Sequence, residues 1–250
     1  MRSLNQHPFA VQAHFEKSLV LAFAFPKEEL QVLVPSCLQL DLYQDQWAFV
    51  AVALVKTRYL RPKGLPECMG RDFILAGYRV FVRYRGEDGR LLRGLYILAS
   101  ETDSKMMQLM GNLFTCYHYS TVSIDWKSGA DGSERVEASS GLELWASRQG
   151  EGGGDPSLPA GSPFASWKDA RRFAGPMPFT FSHDEKRDRM LVVEGRRSTW
   201  RPLAMGVEKW QVPFLQQRGL LQPCLANAFL VEQVPYEWQK GRLENLAERL

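Results

Sequence analysis

The segment 47–55, WAFVAVALV, is apolar on both faces of a predicted strand. An antiparallel sheet with one face in water alternates apolar and polar residues, and this segment does not. We therefore expect cover on both sides, as in a barrel wrapped by helices or by a second layer. Ala51 and Ala53 are small enough to leave room for a ligand, although filling of a barrel interior by side chains is the commoner case.

Most of the remaining chain is predicted to form strands separated by turns. The segments 74–85 and 90–99 form a hairpin around the turn 86–89, and residues 135–147 form one further strand. The glycine- and proline-rich segment 149–162 predicts a flexible loop. A short helix follows over 163–173, with Ser162 as its N-cap. Because the strand pattern resumes after the loop, we predict one domain over 1–250.

Composition excludes several classes of protein. The net charge of +3 over 250 residues gives no reason to expect nucleic acid or an anionic membrane as a partner. The longest apolar run near the start, 19–25, is too short to span a bilayer. The four cysteines form no Cys-x-x-Cys pair, which favours a reducing, cytoplasmic location. A homo-oligomer remains open.

No motif for a common cofactor is present. The chain has neither a phosphate-binding loop nor a dinucleotide-binding Gly-x-Gly-x-x-Gly after a strand. The four histidines lack metal-ligand spacing, so we predict no metal and no cofactor. The segment 193–202 combines aromatic and basic residues, as in nucleic-acid stacking sites. It is a single short segment on a nearly neutral chain, so we discount that interpretation.

The segment 94–119 predicts a strand, a short helix and a second strand. Thr102 or Asp103 would cap the helix, which would end near Gly111. The second strand then opens with polar-tipped side chains in an apolar frame, a pattern typical of small-molecule sites; they are Thr115, Tyr117, His118 and Tyr119. His118 and Tyr117 are the candidate catalytic residues, because they offer proton transfer. A lone histidine in a strand is more often structural.

The strand 77–85 carries three arginines on one face. Alternation places Arg79, Phe81, Arg83 and Arg85 together. One interpretation puts Arg79 inside a cavity, where it grips a carboxylate. The alternative is that these arginines face solvent or pair with acids on neighbouring strands.

Several segments together resemble a known family. They are LVPSCLQLDLY at 33–43 followed by WAFV, RPKGLP at 61–66, YRVFVR at 78–83, GLYIL at 94–98, TWRP at 199–202 and ANAFLVEQVPYEW at 226–238. The resemblance is to the uncharacterised YqjF-like bacterial family, a domain of unknown function in the acetoacetate decarboxylase-like superfamily. It implies a mainly β (α+β) fold: a closed, cone-like antiparallel β-barrel with a few short peripheral helices and an internal cavity.

The resemblance also shows what this chain lacks. The decarboxylases form a Schiff base on a lysine after the short helix, but residues 113–119 contain no lysine. A glutamate expected before the arginine is replaced by Leu75, whereas Arg79 matches the family arginine. We therefore expect a cavity that binds or transforms a small organic acid without Schiff-base chemistry. Its predicted ligand-binding residues are Arg79, Phe81, Tyr117 and Tyr119.

Two other functions stay open at this point. One is a non-catalytic binding module whose cavity holds an apolar or anionic metabolite. The other is a filled barrel that acts as a structural or interaction protein. An interior pocket lined by Arg79 and a titratable group favours the enzyme, an aromatic and aliphatic lining favours the binding module, and a packed interior favours the structural protein.

Overall fold

The computed structural model describes residues 6–150 and 155–246, and the fold within them is mainly β with a few short helices. The strands are β1 (Val11–Pro26), β2 (Gln39–Leu40), β3 (Trp47–Pro62), β4 (Arg71–Arg85), β5 (Leu91–Thr102), β6 (Tyr119–Thr121), β7 (Ile124–Ser128), β8 (Glu134–Ala138), β9 (Glu143–Arg148), β10 (Phe179–Asp184), β11 (Arg189–Arg197), β12 (Leu203–Gln211), β13 (Cys224–Trp238) and β14 (Arg242–Asn245). The helices are α1 (Lys27–Gln31), α2 (Lys105–Phe114), α3 (Trp167–Phe173) and α4 (Pro213–Gln217), with a 3-10 turn at Glu67–Met69. Within the described ranges, no helix has the length and apolar content needed to cross a membrane.

Seven strands are connected in a ring of pairings, which we call the strand ring. Its order is β11-β10-β5-β4-β3-β1-β13, and β13 pairs again with β11. The β1–β3 ladder joins fourteen residue pairs, whereas the β11–β13 seam joins three. Most pairings are antiparallel, as predicted. Two short ones, β10 with β5 and β5 with β6, are parallel, so the expectation of a purely antiparallel sheet is wrong there.

Strand β3 is covered on both faces, as its sequence predicts. Residues 48–55 are all buried. Val50, Val52 and Leu54 pack in a core that also contains residues of β7, β8 and β9. Ala51 and Ala53 belong to separate interior clusters on the other face. The second layer on one side and the interior clusters on the other therefore shield this strand from water.

The second layer contains β12, β9, β8 and β7, paired in that order. Residues 135–147 do not form the single strand that we predicted. They belong to β8 and β9, which are joined by a tight turn in which Gly141 has a φ of 85°. Glycine adopts this left-handed conformation at little cost, so Gly141 marks the reversal.

Two helix starts also differ from the prediction. Ser104, not Thr102 or Asp103, caps α2, since its side chain accepts from the Met107 amide at 3.2 Å, and the helix continues beyond Gly111 to Phe114. Helix α3 begins at Trp167 with Ser166 as N-cap. The predicted cap Ser162 instead donates to the Ala226 carbonyl at 2.7 Å. Residues 151–154 of the predicted loop lie outside the described residues.

Candidate functional site

The four predicted ligand-binding residues line one pocket on the inner face of the strand ring. Arg79 and Phe81 come from β4, whereas Tyr117 and Tyr119 follow α2. Ala51 and Ala53 of β3 form part of the same lining. The pocket has a volume of about 130 Å³. That is close to the size of cavity that holds one benzene ring, on the order of 150 Å³.

Arg79 enters this pocket without a carboxylate partner. Its Nε atom is buried and has no hydrogen-bond partner among the described residues, and none of their acidic side chains forms an ion pair with it. The guanidinium lies over Gly77, where an added Cβ would approach Nη2 to 2.7 Å. Gly77 therefore leaves the space that the guanidinium occupies.

Arg83, two strand positions beyond Phe81, has a different environment. Its Nε donates to Oδ1 of Asp41 at 2.6 Å, and Arg93 donates to the other carboxylate oxygen. The Asp41 side chain is fully buried. Arg93 also donates to the Phe173 carbonyl at 2.6 Å. We call Asp41, Arg83 and Arg93 the Asp41 clamp; it is a buried charge with its partners in place.

The segment after α2 places its two tyrosines inward and its histidine outward. His118 has a φ of 52°, and Tyr117 and Tyr119 on either side of it are buried. The Tyr117 hydroxyl lies 3.1 Å from Oγ1 of Thr180. His118 is exposed in a separate surface depression, beside Cys116. The structure therefore brings Tyr117 and Tyr119, but not His118, to Arg79. Tyr117 and His118 also precede β6 and are not part of the strand predicted for them.

Burial raises the pKa of the pocket tyrosines. The pKa of Tyr117 rises to about 12, an effect that the Thr180 hydroxyl and the Arg79 guanidinium oppose only in part. Burial likewise raises the pKa of Tyr119 and Tyr236. All three phenols are therefore protonated near neutral pH. They act there as hydrogen-bond donors and not as bases.

A second arginine, which the sequence analysis did not identify, also lines the pocket. Arg197 of β11 donates to the Pro176 carbonyl at 3.1 Å and lies 5.2 Å above the Trp200 ring. Burial lowers its pKa, and Tyr236 partly offsets that effect. The segment 193–202 is basic and aromatic in sequence, but the sequence does not show which strand pairs with it. β13 supplies Tyr236 opposite Arg197.

The pocket is electropositive. Its described lining contains the guanidinium groups of Arg79 and Arg197, but neither a carboxylate nor a lysine. Lys105 and Lys127, which flank the segment 106–126, are both exposed. Lys127 pairs with Asp125 at 2.8 Å, and this hydrogen bond raises its pKa. Both arginines are half-buried, and two cations in a pocket whose described lining has no counter-ion favour the binding of an anion.

Sequence comparison decides the family. The model of a family of uncharacterized conserved proteins, DUF2071, matches residues 12–235. The chain belongs to this family. No curated protein matches the chain significantly in sequence.

Solved structures show which fold this DUF2071 member shares. An acetoacetate decarboxylase from Legionella pneumophila aligns with a TM-score of 0.60 at 9% identity, over 95% of this chain and 88% of that one. The enduracididine biosynthesis enzyme MppR, complexed with pyruvate, aligns at 0.57 and 11% identity, over 94% and 90%. An acetoacetate decarboxylase-like enzyme from Sphingomonas wittichii aligns at 0.53 and 12% identity, over 94% and 90%. The fold is thus acetoacetate decarboxylase-like, as the resemblance predicted.

Proposed function

We propose that this protein binds a small organic carboxylate inside a closed barrel formed by the strand ring, with Arg79 as the counter-ion. The observation that carries the proposal is the buried Nε of Arg79, which has no hydrogen-bond partner among the described residues, in a pocket whose described lining holds no carboxylate. A buried donor without an acceptor is costly, and a bound carboxylate would supply both the opposite charge and two acceptor oxygens.

The size of the pocket and its other donors agree with such a ligand. A volume of about 130 Å³ fits an acid of a few heavy atoms. Tyr117, Tyr119 and Tyr236 present neutral phenols that can donate to the carboxylate or to a second oxygen. The aromatic and aliphatic groups around them, such as Phe81 and Ile97, would pack against the carbon skeleton.

The proposed chemistry excludes a covalent imine. An imine needs an unprotonated amine beside the bound acid, and the described pocket lining offers no lysine. An exposed lysine such as Lys127 stays protonated near neutral pH. Binding without a Schiff base is therefore the function proposed for the site. The single domain over 1–250 and the cytoplasmic location complete this proposal.

A proton-transfer reaction on the bound acid is the second candidate function. It is favoured by the placement of Tyr117, whose protonated hydroxyl lies 3.1 Å from Thr180 at the edge of the pocket. Arg79 would hold the carboxylate while Tyr117 donates its proton to the carbonyl oxygen of a bound keto acid and a water molecule removes a proton from the adjacent carbon. The resulting enol would then take a solvent proton on that carbon and return the hydroxyl proton to Tyr117. The test is solvent exchange: in D2O, the protein would speed deuterium incorporation into pyruvate, and Tyr117→Phe would abolish that gain.

Calorimetric titration with acetate, pyruvate and acetoacetate tests binding. We expect saturable binding of at least one acid, and a loss of tenfold or more in affinity for Arg79→Met. Arg85→Met is the matched control, because Arg85 lies on the same strand but is exposed. Unchanged affinity in Arg79→Met, or no binding of any carboxylate, would refute the proposal.

Borohydride reduction tests the absence of an imine. After incubation with acetoacetate or pyruvate and borohydride, mass spectrometry should find the unmodified mass of the full chain. A stoichiometric adduct on one lysine would overturn this part of the proposal and return the protein to the Schiff-base class.

A further inference from the structure

A second, larger concavity adjoins the Arg79 pocket, and we call it the helix groove. It is lined by α2, through Met106, Met107 and Met110, and by residues outside α2 that include Phe9 and Met69. Its volume is about 350 Å³. Its described lining is predominantly apolar and contains no carboxylate. Apolar surface of this kind, open to water, usually marks a site of interaction.

The helix groove and the Arg79 pocket share part of their walls. Five side chains line both spaces: Phe15, Leu75, Tyr117, Tyr119 and Trp238. These five side chains form a layer along which the two spaces adjoin. Helix α2 lies directly on this layer, since an added Cβ at Gly111 would be 2.4 Å from the Tyr119 ring. The groove ends where the pocket begins.

The two spaces have complementary chemistry. The pocket presents the guanidinium of Arg79, whereas the groove presents mainly hydrocarbon and thioether groups. Methionine side chains are unbranched and adapt to ligands of different shape. Met106 and Met110 are 53% and 40% exposed, so they lose contact with water only when something covers them.

We infer that the ligand of Arg79 is an amphipathic carboxylate, a straight-chain fatty acid, whose hydrocarbon tail passes the Tyr117–Tyr119 layer and lies in the helix groove. The inference rests on the proposed carboxylate site and narrows its ligand class. The short pocket would hold the head group with its first carbons. The rest of the chain would replace water along α2, and each buried methylene would add to the affinity.

A fatty acid could also bind in the reverse orientation, with its head group outside the pocket. The same titrations distinguish the two orientations. Arg71, which is exposed, stands at the rim of the groove and would meet a head group that stays outside. In that case the tail would point toward the pocket, and Arg79 would contribute nothing to affinity. We favour Arg79 because its buried Nε lacks a partner.

Titration of the full-length protein with acetate, butanoate, hexanoate and octanoate tests the inference. We expect the affinity to rise roughly fourfold per added methylene for as long as the chain extends within the groove. Arg79→Met should lower the affinity for every acid in the series. Arg71→Met should not weaken the binding of any acid in the series.

Two variants of α2 locate the tail. Met110→Glu places a charge in the groove and should lower the ratio of octanoate to acetate affinity by tenfold or more. Leu109→Glu is the control, because Leu109 is 65% exposed on the same helix but does not line the groove, and it should keep the wild-type ratio. Circular dichroism of both variants checks that α2 and the sheet are retained.

The outcomes distinguish this inference from the proposed function on which it rests. Acetate binding that depends on Arg79, with no gain from chain length, would overturn the inference and leave the proposed function standing. Octanoate binding that is lost in Arg71→Met but not in Arg79→Met would overturn the inferred orientation. Binding of no acid at any length would refute the proposed function and the inference together.

Discussion

Arg79 and Arg83 lie four residues apart on one face of β4, yet their surroundings are opposite. Arg83 meets the buried carboxylate of Asp41, which follows β2. β2 pairs with β4 at Gln39–Arg83 and Leu40–Val82 and then ends. Arg79 lies opposite Ala51 of β3, and no strand in the described part of the chain brings an acid to it. The same residue type is therefore structural where a short edge strand brings it a counter-ion, and available to a ligand where that strand is missing.

The largest effect should come from breaking the Asp41 clamp. Asp41→Ala should lower the free energy of unfolding by about 3 kcal/mol, the low end for a broken buried pair, because Arg83 and Arg93 are 40% and 35% exposed and regain water. Urea denaturation measures the loss. The exposed Asp155→Ala is the control. A loss below about 1 kcal/mol would mean that the clamp is as dispensable as a surface ion pair.

Alkaline pH should act on the pocket and not on the clamp. The pKa of Tyr117 is about 12 when folded and about 10 when unfolded, so unfolding releases a proton between these values. The free energy of unfolding should therefore fall as the pH rises from 10 to 12, by up to about 1.4 kcal/mol per pH unit for this phenol.

Substitutions show which group causes the fall in the free energy of unfolding at alkaline pH. Tyr117→Phe should make the slope shallower, whereas Asp41→Ala should keep it. Tyr59→Phe, at a 42% exposed phenol, is the control. Denaturation curves collected at half-unit pH steps measure the effect. An identical slope in Tyr117→Phe and the wild type would show that folding does not raise the pKa of this phenol.

Gly77→Ala should disturb the pocket alone. The new Cβ would approach Nη2 of Arg79 to 2.7 Å, so the guanidinium must move. We expect about tenfold weaker carboxylate binding, equivalent to about 1.4 kcal/mol. In an Arg79→Met background the same substitution should cause no further loss, since the group that it displaces is gone. Additive losses would show that Gly77 acts through another contact.

The smallest effect on stability should come from Arg79 itself. Arg79→Met removes a half-buried charge whose Nε has no partner among the described residues, so the free energy of unfolding should stay within about 1 kcal/mol of the wild-type value, or rise. Arg83→Met removes one partner of Asp41 and should lower stability by roughly 1.5–3 kcal/mol. Equal losses in the two variants would end the distinction between a ligand-binding and a structural arginine.

The sequence predicted the sheet better than its connections. Apolar residues on both faces of β3 predicted its cover, because burial acts on each residue independently of what provides the cover. The sequence could not show that Arg83 would meet Asp41 or that Arg79 would not, since this depends on the pairing of β2 with β4. The role of Arg197 was missed for a similar reason, because its neighbour Tyr236 comes from a strand 39 positions later.

Local errors have equally local causes. The helix caps were misplaced because several serines, threonines and acids stand near each helix start, and tertiary contacts choose among them. Thr102 is buried at the end of β5, which leaves Ser104 as the cap of α2. His118 is suited to proton transfer by residue type, but it has a left-handed backbone conformation and its side chain is exposed outside the pocket.

The three-residue seam between β11 and β13 bears on how fast a ligand can leave. Arg197 and Tyr236 belong both to this seam and to the pocket lining, whereas the fourteen-pair β1–β3 ladder lies elsewhere in the ring. A short ladder opens by local unfolding far more often than a long one. We expect an acid that leaves through this seam to be released no faster than the seam opens, and amide hydrogen exchange at residues 195–197 measures that opening.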